Sequence, residues 1–231
     1  MGTEPLATDL EAPGPLRYHV TQMGERLGQQ LGAYVVSGHL ADGSTGSIYE
    51  ARRGESGERV AIKILHEAVR RDPVAVERFR REYETAKSLE HPYVLDVLDF
   101  GEASDGAPFM VMKLVDGEEL GTLLRRDGPL SPPRTARLVS QIALALHDAH
   151  ADGVIHRDLK PANVLVCEPG DREEIRVLDF GSVKLQVEQG PKLTALGTTL
   201  GSPYYMSPEQ ATGEPDLDAR TDVFALAAIA H

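Results

Sequence analysis

Three polar side chains crowd into one short stretch, HRDLKPAN at His156–Asn163: Asp158, Lys160 and Asn163. A carboxylate that can accept a proton, an ammonium group and an amide oxygen are the groups needed to align a hydroxyl, a phosphoryl group and a metal ion. Upstream, VAIK at Val60–Lys63 sets a lysine in an apolar stretch that follows a glycine turn. Taken alone, such a lysine is more often simply solvated. The pentapeptide VLDFG occurs twice, at Val97–Gly101 and at Val177–Gly181. Each copy offers a carboxylate, Asp99 or Asp179, of the hard-oxygen kind that magnesium prefers. The flanks of the two copies do not match, which argues against an internal repeat. Only their places relative to HRDLKPAN can tell them apart.

Those residues need a scaffold, and the pattern of the chain supplies one. AYVVSGHL, SIYEAR and RVAIKIL are apolar, β-branched runs separated by the turn-rich ADGSTG and GESGE, and they predict an antiparallel meander. PVAVERFRREYETAKSL predicts a helix with Pro73 in its first turn and Val76, Phe79, Tyr83 and Ala86 at helical spacing. Two further strands follow within HPYVLDVLDFGEASDGAPFMVMKLV. The first VLDFG is expected to end the earlier of them, with Asp99 and Gly101 in a turn and Phe100 packed. Beyond residue 116 the character changes. SPPRTARLVSQIALALHDAHADG predicts a long helix with proline at its start and glycine past its end. Short apolar pieces, VIHRDL, NVLVCE and IRVLDF, alternate with polar turns. A Gly/Thr/Ser/Pro stretch spans Ser182 to Pro208, and RTDVFALAAIAH reads as the start of a buried helix.

Bulk properties exclude some partners. Of the 231 residues, 41% are apolar and 26% charged, ordinary values for a globular chain. The net charge of −12 argues against a nucleic-acid or anionic-membrane binder. Cys167 is the only cysteine, so no intrachain disulfide can form, which fits a reducing, cytoplasmic setting. It reads best as a small buried apolar residue. No run reaches the roughly 18 apolar residues of a membrane span. Residues 1–30, with Pro5, Pro13 and Pro15 and few large apolar side chains, are expected to form a disordered tail without a secretory signal.

Taken together and in order, from Leu40 onward, these motifs resemble the eukaryotic-type protein kinase domain in its bacterial serine/threonine form. The resemblance implies an α+β, two-lobed fold: a small antiparallel-sheet lobe with one helix over about 31–115, and a larger, mostly helical lobe over about 116–231 that lacks its last helices. It implies ATP and Mg²⁺ as cofactors, and a Ser/Thr-bearing protein as substrate. Gly43 and Gly46 would belong to the loop over the phosphates. Leu40, Ile48, Ala61, Met112 and Val115 would bind the nucleotide, with Met112 as gatekeeper beside the adenine pocket and the backbone of Lys113 to Val115 along the adenine edge. Lys63 would hold the α- and β-phosphates and pair with Glu82. Asp158 would accept the substrate proton, Lys160 would steady the phosphoryl group, and Asn163 and Asp179 would hold the metal. Lys160, two residues after Asp158, points to the serine/threonine class.

The same resemblance gives roles to several further residues. Ser202 in GSPYYMSPEQ would bond Asp158 and Lys160 in the substrate segment. Asp222 would tie down the backbone of the catalytic loop. Arg157 would receive a phosphate placed on Thr194, Thr198 or Thr199 through a kinase–kinase contact, with Thr194 the first choice.

Three positions depart from the pattern. Ala41 replaces the first loop glycine and is tolerable where φ stays negative. Lys113 stands where an acid is usual, at a hinge read through its backbone. The chain stops at His231 within its last helix. From this, Glu209 is expected to be a buried carboxylate without its arginine, and VFALAAIA to lie partly exposed. The alternative to a kinase is a truncated, non-catalytic kinase-like module that binds nucleotide or protein. The complete polar set Lys63, Glu82, Asp158, Asn163 and Asp179 speaks for catalysis.

Overall fold

Residues 25–167, 173–180 and 203–231 are described in a computed structural model of the chain. The strand-rich part is a six-stranded antiparallel sheet built from β1 (Gln30–Leu31), β2 (Tyr34–Asp42), β3 (Gly46–Arg53), β4 (Arg59–Leu65), β5 (Val97–Glu102) and β6 (Pro108–Lys113). Its order is β1-β2-β3-β4-β6-β5. The meander expected from sequence is β2-β3-β4. Residues 25–30, grouped with the tail in the sequence reading, already carry structure. The Gly28 N–H donates to the Val36 carbonyl at 3.0 Å, and Gln30 opens β1.

The period of two along β4 and β6 assigns the faces. Val60, Ile62 and Ile64 join Phe109 and Val111 in a core on one side of the curled sheet. Ala61 and Leu65 join Met110 and Met112 in a second core on the other side. Lys63 lies between Ala61 and Leu65 and so belongs to this second face. Two helices follow β4, the short α1 (Glu67–Arg70) and α2 (Pro73–Ser88). Pro73 opens α2, and the Asp72 side chain accepts from the Val74 N–H at 2.9 Å, a normal N-cap. Phe79 and Ala86 of α2 are buried in the second core, with Val76 and Tyr83 packed against it.

The first VLDFG does not end its strand in a turn. All five residues lie inside β5, where Asp99 pairs with Val111 and Gly101 with Phe109. A Cβ on Gly101 would stand 2.5 Å from the Phe109 ring, so this glycine is required by packing rather than by a bend. Phe100 packs as expected, with its ring 5.6 Å from Phe79 and 5.2 Å from Tyr83.

The second part holds a small antiparallel sheet, β7 (Gly117–Glu119), β8 (Val164–Cys167) and β9 (Glu174–Val177), in the order β7-β8-β9. Around it lie α3 (Leu120–Asp127), α4 (Pro132–Ala151), α5 (Pro208–Thr212) and α6 (Arg220–Ala230). Neither α3 nor β7 was expected from sequence. One core joins Leu120 and Leu123 of α3, Leu138, Ile142 and Leu146 of α4, Val164 and Val166 of β8, Ile175 and Val177 of β9, and Ala225 of α6. Two backbone bonds stitch this part to the segment before β5: Leu95 N–H to the Val177 carbonyl at 3.0 Å and Val177 N–H to the Tyr93 carbonyl at 2.8 Å. On α6, Val223 and Phe224 are exposed, as expected.

Candidate active site

Lys63 meets Glu82 because two periodicities converge. β4 turns Lys63 toward α2. Glu82 follows the buried Phe79 by three positions and precedes the buried Ala86 by four, so it lies on the helix face that meets the sheet. The Lys63 Nζ donates to Glu82 Oε1 at 2.8 Å and to Asp179 Oδ1 at 3.4 Å. One cation thus serves two carboxylates. Burial alone would lower the Lys63 pKa, but Asp179 and Glu82 outweigh it and hold the ammonium well above its ordinary value. Burial raises the Glu82 carboxyl; Lys63 lowers it and Asp179 raises it again, leaving it pushed up to about 7. At Asp179 burial is outweighed by Lys63 and then His156, and the carboxyl stays below its ordinary value.

These three groups line an open cleft between the six-stranded sheet and the second part. Leu40, Ile48, Ala61, Met112 and Val115 line its apolar part. Gly43 sits instead in the β2–β3 loop, and Gly46 opens β3, paired with Leu65. A Cβ on Gly46 would stand 2.2 Å from the Ile64 carbonyl oxygen, so the neighbouring strand already demands glycine there. Ala41 is not among the non-glycine residues with positive φ, so its methyl group fits. The Lys113 N–H donates to the Asp96 carbonyl at 3.0 Å, and its ammonium reaches Asp96 Oδ2 at 3.2 Å. Within the expected hinge, that N–H is therefore engaged.

The loop His156–Asn163 is fixed from several directions. Asp222, at the start of α6, is fully buried. Its Oδ2 accepts from the His156 N–H and from His150 Nε2, and its Oδ1 from the Arg157 N–H, each at 2.8 Å. Arg157 adopts φ 66° and Asp179 φ 56°, the only non-glycine residues with positive φ among those described. Such conformations persist only where the surroundings over-determine them. Carbonyls only accept, so His156 Nε2 donates to the Leu178 carbonyl at 2.8 Å. Its Nδ1 is then the acceptor for the Asp158 N–H at 3.3 Å. The imidazole thus links the loop to the residue before Asp179, with its ring 4.8 Å from that of Phe180.

Asp158 Oδ2 accepts from the Lys160 ammonium at 2.8 Å, and the Asp158 carbonyl accepts from Asn163 Nδ2 at 2.8 Å. The β8–β9 hairpin brings Asn163 to Asp179. Val164 pairs with Val177, and just beyond, the Leu178 N–H donates to the Asn163 carbonyl at 2.9 Å. Asp99, in contrast, lies in β5, where its Oδ1 accepts from the adjacent Phe100 N–H.

Two residues modify the sequence reading. Glu209 is not a buried, unpaired carboxylate. It is partly exposed, and its Oε1 accepts from the Thr221 hydroxyl at 3.1 Å. Gln210 went unnoticed, yet its Nε2 donates to the Arg157 carbonyl at 2.7 Å while its Oε1 accepts from the Ser207 N–H at 3.1 Å. The S-x-x-Q spacing from Ser207 was the available signal, because it marks the capping box that orients the amide. Thr194, Thr198, Thr199 and Ser202 lie outside the described residues.

A two-lobed frame with a lysine–glutamate pair above a cleft and an Asp/Lys/Asn loop below it defines the protein kinase class. The family profile described as "Protein kinase domain" matches residues 34–231, and the chain belongs to that family. Its relatives are bacterial serine/threonine-protein kinases. Pkn3 of Myxococcus xanthus is 44% identical over 202 residues, covering 86% of this chain and 37% of the relative. PknH of Mycobacterium tuberculosis (strain ATCC 25618 / H37Rv) is 40% identical over 207 residues, covering 89% of this chain and 32% of the relative. The chain therefore spans only about a third of the length of these relatives. Among solved structures, the kinase domain of Mycobacterium tuberculosis PknI is similar with a TM-score of 0.69 at 33% identity, covering 88% of this chain and 74% of that one.

Proposed function

We propose that the chain is an ATP-dependent serine/threonine protein kinase domain that moves the γ-phosphoryl group of ATP to Ser/Thr hydroxyls of proteins. The observation that carries this reading is the joint placement of Lys63, Glu82 and Asp179 in the cleft, with Asp158, Lys160 and Asn163 joined to them through the Asn163–Leu178 bond. Leu40, Ile48, Ala61, Met112 and Val115 would enclose the adenine, and the backbone after Lys113 would meet its edge. Lys63, kept charged by its two carboxylates, would hold the α- and β-phosphates. Gly43 and Gly46 would shape the covering loop.

The donor set suits magnesium. At Asp179 burial is outweighed by Lys63, so the carboxylate stays charged, and its side chain is 38% exposed to the cleft. Asn163 has committed its amide nitrogen to Asp158, so its oxygen is the end suited to a cation. Bound there by Asn163 and Asp179, the ion would neutralise charge on the phosphoryl oxygens. Asp158, held at its N–H, its carbonyl and its carboxylate, would orient the substrate hydroxyl and accept its proton. Lys160 would counter charge on the transferred group.

Autophosphorylation is part of the same reading. Arg157 Nε is buried without a hydrogen-bond partner among the described residues, a ready donor for a phosphate on Thr194, Thr198 or Thr199. A cytoplasmic setting fits the single buried Cys167. Among the described residues no helix is long and apolar enough to cross a membrane. The test is incubation with γ-labelled ATP, magnesium and a mixed protein substrate, beside Asp158→Asn. Label on Ser/Thr that depends on Asp158 supports the reading, and equal labelling by both proteins rejects it. Phosphopeptide mapping of active enzyme that finds none of the three threonines modified rejects the autophosphorylation.

A further inference from the structure

The loop between β2 and β3, Gly43 to Thr45, is tied to one residue at the end of β4. The His66 N–H donates to the Thr45 carbonyl at 3.0 Å. Its Nε2 lies 3.0 Å from the Gly43 carbonyl, which can only accept, so the imidazole is the donor. His66 also occupies the N-cap position of α1, and its own carbonyl accepts from the Val69 and Arg70 N–H groups at 3.0 Å each. An N-cap side chain ordinarily turns forward to cap its helix. Here the side chain makes no cap bond and reaches back to the loop instead. The other flank of the loop is held separately. Asp42 Oδ1 accepts from the Ser47 hydroxyl at 2.6 Å and from His39 Nε2 at 3.1 Å.

We propose that His66 is a positioning residue for the phosphate-covering loop, fixing two loop carbonyls through its side chain and its backbone and coupling the loop to the α1–α2 unit that carries Glu82. The inference rests on the kinase reading, which makes Gly43 to Gly46 the cover of a nucleotide's phosphates. Among the described residues no peptide bond is cis, so each C=O and the following N–H point in opposite directions. Committing the Gly43 and Thr45 carbonyls to His66 therefore fixes where the Ser44 and Gly46 N–H groups point, and backbone N–H groups are what such a loop offers to phosphate. His66 does not itself line the cleft, so it would act only through the loop.

The side chain can be tested apart from the backbone, because His66→Ala keeps the N–H bond to Thr45. His66→Gln offers an amide donor with similar reach. Affinities for Mg-ATP and for adenosine are measured by calorimetry on the unsubstituted protein and both variants. Adenosine shares the adenine contacts but has no phosphates, so it serves as the internal reference. One hydrogen bond's worth of loop order corresponds to a loss of about three- to tenfold in Mg-ATP affinity. The proposal expects that loss in His66→Ala, unchanged adenosine affinity, and recovery in His66→Gln. Unchanged Mg-ATP affinity in His66→Ala overturns it, as does an equal loss for adenosine, which would indicate general disruption. An unsubstituted protein that binds neither ligand would overturn the kinase reading itself, and the inference with it.

Discussion

Asp222→Asn perturbs the site without touching a reacting group. The Asp222 carboxylate accepts three bonds of 2.8 Å, from the backbone of His156 and Arg157 and from His150 Nε2, in a fully buried position. Asparagine keeps the shape but replaces one acceptor oxygen with an NH₂ group. Turned one way, that group confronts the Arg157 N–H; turned the other, it confronts the His156 N–H and the imidazole. At least one buried donor then loses its acceptor, at about 1–3 kcal/mol for each group, and more where the lost acceptor carried charge. A total of about 2–4 kcal/mol follows, or a fall in Tm of about 5–15 °C for a chain of this size. The loss also releases Arg157, whose φ of 66° the carboxylate helps to impose. If the same energy is withdrawn from the productive loop geometry, kcat falls by about 30- to 1000-fold. Thermal unfolding, amide hydrogen exchange at His156 and Arg157, and labelled-phosphate transfer would measure all three. A variant whose Tm, exchange and kcat match those of the unsubstituted protein would refute the reasoning.

Other expectations follow from the same geometry. The Glu82 carboxyl, at about 7 in the fold against an ordinary 4.5, binds a proton in the folded chain that the unfolded chain releases. Its contribution to stability is thus full below 4.5 and is lost as pH rises through 7. The Tm of the unsubstituted protein should therefore fall relative to that of Glu82→Gln between pH 5 and 8, and a relative rise would contradict the burial argument. Gly101→Ala drives a methyl group into the buried Phe109 ring and should cost about 1–3 kcal/mol in denaturant unfolding. An unchanged midpoint would show that the glycine is dispensable there. Gln210→Glu removes the donor to the Arg157 carbonyl and sets a carboxylate against it. It should lower kcat about tenfold with little change in KM for ATP, and an unaltered kcat would remove Gln210 from the support of the loop.

Much of the frame was legible because local signals and motif order agreed. α2 and α4 carried proline starts and apolar periodicity, and β4 was legible residue for residue in RVAIKIL. α3 was missed because Glu119 gives no side-chain cap and Gly121 interrupts the run. β7 has three residues and exists only through its pairing with β8, more than forty positions later. The glycines misled for a related reason. Gly101 and Gly46 suggested a turn and a ligand-facing loop, yet each is demanded by a distant atom, the Phe109 ring and the Ile64 carbonyl. Gln210 and His66 act through bonds to residues 53 and 23 positions away, which no local pattern reveals. Glu82 was legible from spacing alone, since three positions after Phe79 and four before Ala86 place it on the face of α2 that meets the sheet.

The doubled VLDFG offers the most direct test of the central claim. Asp179 lines the cleft, bonded to Lys63 and one residue beyond the backbone bond to Asn163, whereas Asp99 lies in β5 and is not among the cleft-lining residues. Magnesium-dependent transfer from γ-labelled ATP should vanish in Asp179→Asn and persist largely intact in Asp99→Asn. Transfer that survives in Asp179→Asn, or that is lost equally in both, would contradict the assignment of the cleft as a phosphoryl-transfer site.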